Sequence, residues 1–256
     1  MEYDSTFDLT SLKSLNELLL YANHSPPIAN YLANKYNNAL SEDHRILALY
    51  FASQEKWHSN FLCYLKDNLG HICVVGNAAS LKKQLLGNKI NRNRVVIRFN
   101  HYCLDAKKQN YCGKSIDVWV RSPDFELPLN FSQGRNKWMV ISGADINFSL
   151  SNWSGIKKVL QSGISVMTPP LRVWKELVEI LEAPPSAGIL ILWWLIEELG
   201  SVRSLSIVGF QLENSDSSQY HYSLPRHSAG IRHNWVKERE ILMSWKESGL
   251  NVIDYD

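Results

Sequence analysis

Short apolar runs of β type recur along the chain, with helical stretches between them. The first is His71-Ile72-Cys73-Val74-Val75. Val95-Val96-Ile97-Arg98-Phe99, Ile116-Asp117-Val118-Trp119-Val120, Trp138-Met139-Val140-Ile141 and Ser204-Leu205-Ser206-Ile207-Val208 follow it. Helical periodicity predicts helices over Trp153 to Gln161, Leu171 to Leu181 and Ala187 to Leu199. Buried β runs alternating with helices predict an α/β fold: a Rossmann-like, largely parallel sheet with flanking helices and ligands at the carboxyl ends of the strands.

The start of the chain has a different rhythm. Leu12, Leu15, Leu18 and Leu19, then Ile46, Leu49 and Tyr50, recur at helical spacing. Pro26-Pro27 and Asn37-Asn38 interrupt the pattern, and Ser41 with Glu42 and Asp43 makes a helix start. We therefore expect a helical N-terminal extension over residues 1–68 and an α/β domain over 69–256.

Composition changes this picture little. Apolar residues make up 45% and charged residues 20% of 256, as in ordinary soluble globular proteins. The formal net charge is only +2, but it is uneven. Between His71 and Arg121 stand ten Lys or Arg and two acids, Asp105 and Asp117. Such a belt favours an anionic ligand or a peripheral contact with an anionic membrane. With Tyr102, Tyr111 and Trp119 it also raises a nucleic-acid reading, but no nucleic-acid-binding motif accompanies it, and no nucleic acid is expected as a partner.

Cys63, Cys73, Cys103 and Cys112 form no C-x-x-C pair or metal-like cluster, so free thiols and no metal site are expected. Met1-Glu2-Tyr3-Asp4 does not open a signal peptide, and the longest apolar run, Ile189 to Ile196, is too short to span a bilayer. The expected location is cytoplasmic, with a peripheral place at the inner membrane also open.

Three separated segments carry candidate chemistry. Val74-Val75-Gly76-Asn77 reads as a strand and a tight turn leading into a helix, where Gly76 lets the backbone approach a ligand. Asn77 brings an amide that both donates and accepts. Asn100 ends the next apolar run, and Gly113-Lys114-Ser115 comes later. Pro185-Ser186-Ala187-Gly188 opens an apolar helix; Ser186 suits an N-cap, and a Ser/Gly helix start also suits an anion. Last come Tyr220-His221-Tyr222 and, eleven residues after Tyr222, His233 with Glu238. Two close histidines suit a reaction needing both a base and a charge donor. His227 is a rival base. The glycine pattern of dinucleotide sites is absent, as are an Asp-x-Asp metal motif and a glycosidase-like carboxylate pair.

In order and spacing these segments, over about residues 71–240, resemble the sialylmotifs of the sialyltransferases. Val74 to Asn77 with Arg98-Phe99-Asn100 is similar to the large motif. Pro185 to Gly188 with Val208-Gly209-Phe210 is similar to the small motif, and the two histidine segments resemble the last two. The resemblance implies the sialyltransferase variant of the GT-A fold. It implies an inverting, metal-independent glycosyltransferase that moves an ulosonic acid from a CMP donor to a glycan or glycolipid acceptor. Sialic acid is the first donor and Kdo the second, and no cofactor is needed beyond the CMP-sugar co-substrate. Carried over residue by residue, Gly76, Asn77, Asn100, Ser186, Gly188 and Tyr222 bind the donor. His233 is the base, and His221 donates to the leaving phosphate. All should converge at the strand ends. Animal members join the large and small motifs by a disulfide; Ile72 stands where the first cysteine would be, which suits a bacterial relative making lipopolysaccharide or capsule. The alternative is a nucleotide- or glycan-binding module of the same fold without turnover.

Overall fold

The computed structural model describes residues 42–83, 85–100, 108–122, 126–127, 137–143, 153–212 and 232–253. The chain divides into two compact units, Met1–His58 and Ser59–Asp256. In the first, the described part begins helix α1 (Glu42–Lys66), where the Tyr50 and Trp57 rings lie 6.3 Å apart.

The second unit is built on a seven-stranded, all-parallel sheet. Its strands are β1 (Ile72–Val75), β2 (Val95–Phe99), β3 (Val118–Arg121), β4 (Trp138–Ile141), β5 (Ser165–Met167), β6 (Ser206–Val208) and β7 (Asn251–Val252). Their spatial order is β5-β4-β3-β2-β1-β6-β7. The chain thus winds outward from β1 to β5, then crosses back to place β6 on the other side of β1. Between β1 and β6 the winding direction reverses, and in open α/β sheets that reversal opens a crevice beyond the carboxyl ends of the strands.

The α/β expectation holds, and the sheet is parallel throughout. All five apolar runs are strands. The helices at Trp153–Gln161 (α4), Leu171–Leu181 (α5) and Ala187–Leu199 (α6) form as expected; α2 (Gly87–Asn91) and α3 (Gln109–Cys112) are single short turns. A last helix, α7 (Trp235–Glu247), leads to β7. After Gly76-Asn77 the chain makes a 3-10 turn over Ala79–Lys83 instead of a full α-helix.

Register and burial show how the core forms. Cys73 pairs with Val96 in β2, and Val75 with Val208 in β6. These four pack with Leu81, Leu86, Ile90 and Cys112 into one buried cluster. Elsewhere Phe61 of α1 lies 5.5 Å from Trp138 of β4 and 5.7 Å from Trp194 of α6, measured between ring centroids. Helix α6 buries Ile189, Leu190, Ile191, Leu192, Trp194 and Leu195, so it is apolar nearly all round because it lies inside the fold. Among the described residues no helix is long and apolar enough to cross a membrane.

Helices α6 and α7 lie side by side. Ser186 meets Glu238, and seven residues further along each chain Trp193 meets Trp245, with ring centroids 5.8 Å apart. Equal spacing on both helices means that they run in the same direction, so their N-terminal ends are neighbours.

Candidate functional site

The reversal point is held by two glycines. Gly76 follows β1, and its N–H donates to Val208 O at 2.8 Å; Ala78 N–H donates to Gly209 O at 2.9 Å. A Cβ on Gly76 would collide with the Gly209 carbonyl oxygen, and one on Gly209 would lie 2.6 Å from Leu81 Cδ1. Gly209 also has φ +69°, a conformation that glycine adopts without steric cost. Gly76→Ala is therefore expected to cost about 2–3 kcal/mol by forcing the ends of β1 and β6 apart. A urea unfolding midpoint equal to wild type would contradict this tight approach.

The two asparagines stand at the ends of neighbouring strands. Asn77 Nδ2 donates to Phe99 O at 3.0 Å, tying the β1 turn to the end of β2. Asn100 takes φ +47°, a left-handed conformation in which Asn is among the better tolerated residues. Its N–H donates to Val120 O at 2.7 Å, its carbonyl accepts from Trp119 Nε1 at 2.9 Å, and its Oδ1 accepts from Ser122 N–H at 3.1 Å. Each amide is thus half engaged with the backbone. Asn77 Oδ1 and Asn100 Nδ2 have no partner among the described residues, leaving an acceptor and a donor for a ligand.

Phe210 connects this corner to α6. Its ring meets Phe99 edge-on, with centroids 6.2 Å apart. A Cβ on Gly76 would lie 3.1 Å from Phe210 Cδ2, and one on Gly188 would lie 3.0 Å from Phe210 Cε1. Gly188 thus admits the ring beside the helix start. Ser186 caps α6, its Oγ accepting from Ile189 N–H at 3.3 Å.

Ser186 in turn is gripped by α7. Its N–H donates to Glu238 Oε1 at 2.8 Å and its hydroxyl to Glu238 Oε2 at 2.6 Å. Both donors of Ser186 are consumed, so what it can offer a ligand is an oxygen lone pair. Glu238 is only 4% exposed. Burial pushes its carboxyl up to about 7, outweighing the two bonds from Ser186 that favour the ionised form.

This shift has a consequence for stability. Folded Glu238 holds a proton that the unfolded chain has released between pH 4.5 and about 7. Its contribution is therefore most favourable below pH 4.5 and is lost as pH rises through 7, by about 3 kcal/mol at most. Relative to wild type, Glu238→Gln should gain stability on going from pH 5 to pH 8 in urea melts. A pH-independent difference would place the carboxyl back in its ordinary range.

His233 lies two residues before α7. Its Nδ1 is 2.8 Å from Pro184 O. A carbonyl only accepts, so Nδ1 carries the proton and Nε2 keeps its lone pair. Arg232 Nε approaches that lone pair at a long 3.4 Å. The Trp235 ring meets the imidazole edge-on, with centroids 5.1 Å apart. Burial lowers the His233 pKa from its usual value, the Pro184 hydrogen bond opposes this, and the Arg232 charge adds a smaller lowering. The ring is thus a neutral, tautomerically fixed base near pH 7.

A relay of contacts leads from Asn100, Asn77 and Gly76 at the ends of β2 and β1, through Phe210, to Gly188 and Ser186 at the start of α6 and, through Pro184, to His233 before α7. Phe210, Pro184 and Glu238 are the links that the sequence patterns did not mark as ligand residues. His221, Tyr222 and His227 lie outside the described residues. The basic belt is in part internal: Arg98 and Arg121 are buried. Arg98 donates to two backbone carbonyls, while Arg121 lies 4.8 Å over the Trp119 ring and donates to Glu126 O at 3.3 Å. Cys63, Cys73 and Cys112 are free thiols.

No family model matches the chain, and no curated protein matches it in sequence. Solved structures do match. A mammalian sialyltransferase in complex with Gal-beta-1-3GalNAc-ortho-nitrophenol superimposes with a TM-score of 0.53 at 14% identity, covering 72% of this chain and 69% of that one. A second structure of a mammalian sialyltransferase gives a TM-score of 0.52 at 15% identity, with the same coverage. The chain therefore has a sialyltransferase-like fold.

Proposed function

We propose that this protein is an inverting, metal-independent glycosyltransferase that moves an ulosonic acid from its CMP donor to a hydroxyl of a glycan or glycolipid. Sialic acid is the first donor and Kdo the second. The setting is synthesis of a bacterial surface glycan, lipopolysaccharide or capsule, in the cytoplasm or at the inner face of an anionic membrane. The observation that carries this reading is His233, held as the Nδ1–H tautomer by Pro184, two residues before the Ser186 cap whose neighbour Gly188 packs on Phe210 beside Gly76. The sialyltransferase-like fold supports it.

In the proposed reaction the acceptor hydroxyl oxygen attacks the anomeric carbon of the donor. The anomeric C–O bond to the phosphate breaks and CMP departs with the electron pair. The hydroxyl proton passes to His233 Nε2. His221, with Tyr222 assisting, meets the charge developing on the phosphate. Asn77 Oδ1 and Asn100 Nδ2 contact the CMP part, and Gly188 lets Phe210 pack beside the start of α6 on the donor side.

The deciding experiment incubates the protein with CMP-sialic acid and CMP-Kdo separately and measures CMP release with and without candidate glycans. Acceptor-dependent release from one donor is expected. CMP binding without release from either would favour a nucleotide- or glycan-binding module. No binding of CMP would remove the transferase and leave only a module that binds glycan or another nucleotide.

A further inference from the structure

His233 is oriented by a backbone carbonyl, so whatever fixes that carbonyl fixes the base. Pro184 lies in the turn between α5 and α6, two residues before Ser186. That turn is tied to α7 at both ends. On the α5 side, Asn234 Nδ2 donates to Leu181 O at 3.0 Å, and Lys237 Nζ reaches Ile180 O at 3.2 Å and the Glu182 carboxylate at 3.1 Å. On the α6 side the tie is Glu238, whose two oxygens take the Ser186 N–H and hydroxyl. The Lys237–Glu182 pair is largely exposed and therefore weak. The Glu238 pair is buried and bidentate.

The other described neighbours of the imidazole hold it less firmly. The Trp235 edge limits ring tilt but does not select which nitrogen holds the proton. Arg232 is exposed and donates to Nε2 at a long 3.4 Å, so it favours the same tautomer only weakly and does not hold the ring against the 184–186 turn.

We propose that Glu238 is a positioning residue for the transfer step: its carboxyl group pins the 184–186 turn so that Pro184 keeps His233 in the Nδ1–H tautomer with Nε2 toward the acceptor hydroxyl. The catalytic part of this proposal rests on the glycosyltransferase reading above; the structural part does not. Glu238 touches neither donor nor acceptor in this arrangement. It acts through Ser186 and Pro184.

The test reads the imidazole directly. Histidine ¹⁵N NMR, with the His233 signals assigned by their loss in His233→Asn, should show the Nδ1–H tautomer in the wild-type protein. In Glu238→Ala that tautomer should give way to the mixture favoured by a free imidazole. Glu238→Gln, whose amide can accept from the Ser186 N–H and donate to its hydroxyl, should retain it. With an active donor and acceptor, Glu238→Ala should lower kcat roughly 10–100-fold and change the donor KM by less than about threefold, since a misaimed base affects the chemical step first.

A folded Glu238→Ala protein with the Nδ1–H tautomer unchanged overturns the proposal, whether or not the protein transfers a sugar. A lost tautomer in a protein that releases no CMP from any donor upholds the positioning role and removes the transfer reaction. Should Glu238→Ala not fold, Ser186→Ala decides: it deletes one of the two bonds, so a partial change of tautomer is expected, and an unchanged signal overturns the proposal.

Discussion

Replacing His233 with alanine is expected to lower transfer by about 10²–10⁴-fold near pH 7 while CMP still binds, as loss of a general base does. In the proposed reaction the ring takes a proton and does not hold the nucleotide. Its Nδ1–H is committed to Pro184 and its edge to Trp235, while its Nε2 lone pair meets only a long 3.4 Å contact from Arg232 among the described residues. Because burial lowers its pKa, the wild-type acid limb should fall below the pH 6.5 of an ordinary imidazole, and activity should fade only as His233 becomes protonated beneath that point. Loss of fold is the competing explanation. Calorimetry with CMP and a thermal melt separate the two, since an unfolded variant binds nothing. A folded variant that binds CMP and keeps full transfer would take His233 out of the mechanism, leaving His227 as the next residue to replace.

Legibility of the fold followed position in the sheet. Interior strands of a parallel sheet are covered on both faces and read as continuous apolar runs, as Ile72–Val75 and Val95–Phe99 do. The two strands without a signal, β5 and β7, are the edges, with three and two residues. Segments that short show no period. Helix α7 was nearly silent for another reason. Its buried residues are Glu238 and Leu242, so a carboxylate stands where an apolar residue would mark the inner face.

The site divides along similar lines. Glycines and caps are readable because their constraints are local: Gly76 must lack a side chain, and Ser186 must end the turn before α6. What a side chain does across the fold is not local. Ser186 reads as a ligand contact until the structure shows both its donors given to a residue 52 positions later. Phe210 reads as the end of a strand until its ring is found between Gly76 and Gly188. Asn77 and Asn100 serve both readings, since each ties a strand end with half its amide and leaves the other half open.

Arg98 carries the second large prediction, one of stability. It lies in the basic stretch that suggested an anionic ligand, yet it is 1% exposed within β2. Nε donates to Ser115 O at 2.7 Å and Nη2 to Cys112 O at 2.6 Å. The turn it holds is braced from the other side by Asn91, whose Oδ1 accepts from the N–H groups of Lys114 and Ser115 at 2.8 and 3.1 Å. The guanidinium is thus the clasp between β2 and the loop that enters β3, and its charge is satisfied by carbonyl dipoles inside the protein. Arg98→Met keeps most of the volume and strands two carbonyls, each costing about 1–3 kcal/mol when buried without a partner. A loss of about 3 kcal/mol, or roughly 6–12 °C in Tm for a domain of this size, is expected. Arg98→Lys should recover only part of it, because a single ammonium cannot reproduce the two-armed geometry of the guanidinium. CMP affinity per folded molecule should stay near wild type in both variants. If instead affinity collapses while Tm holds, Arg98 belongs to the ligand and the internal clasp is the wrong account of its burial.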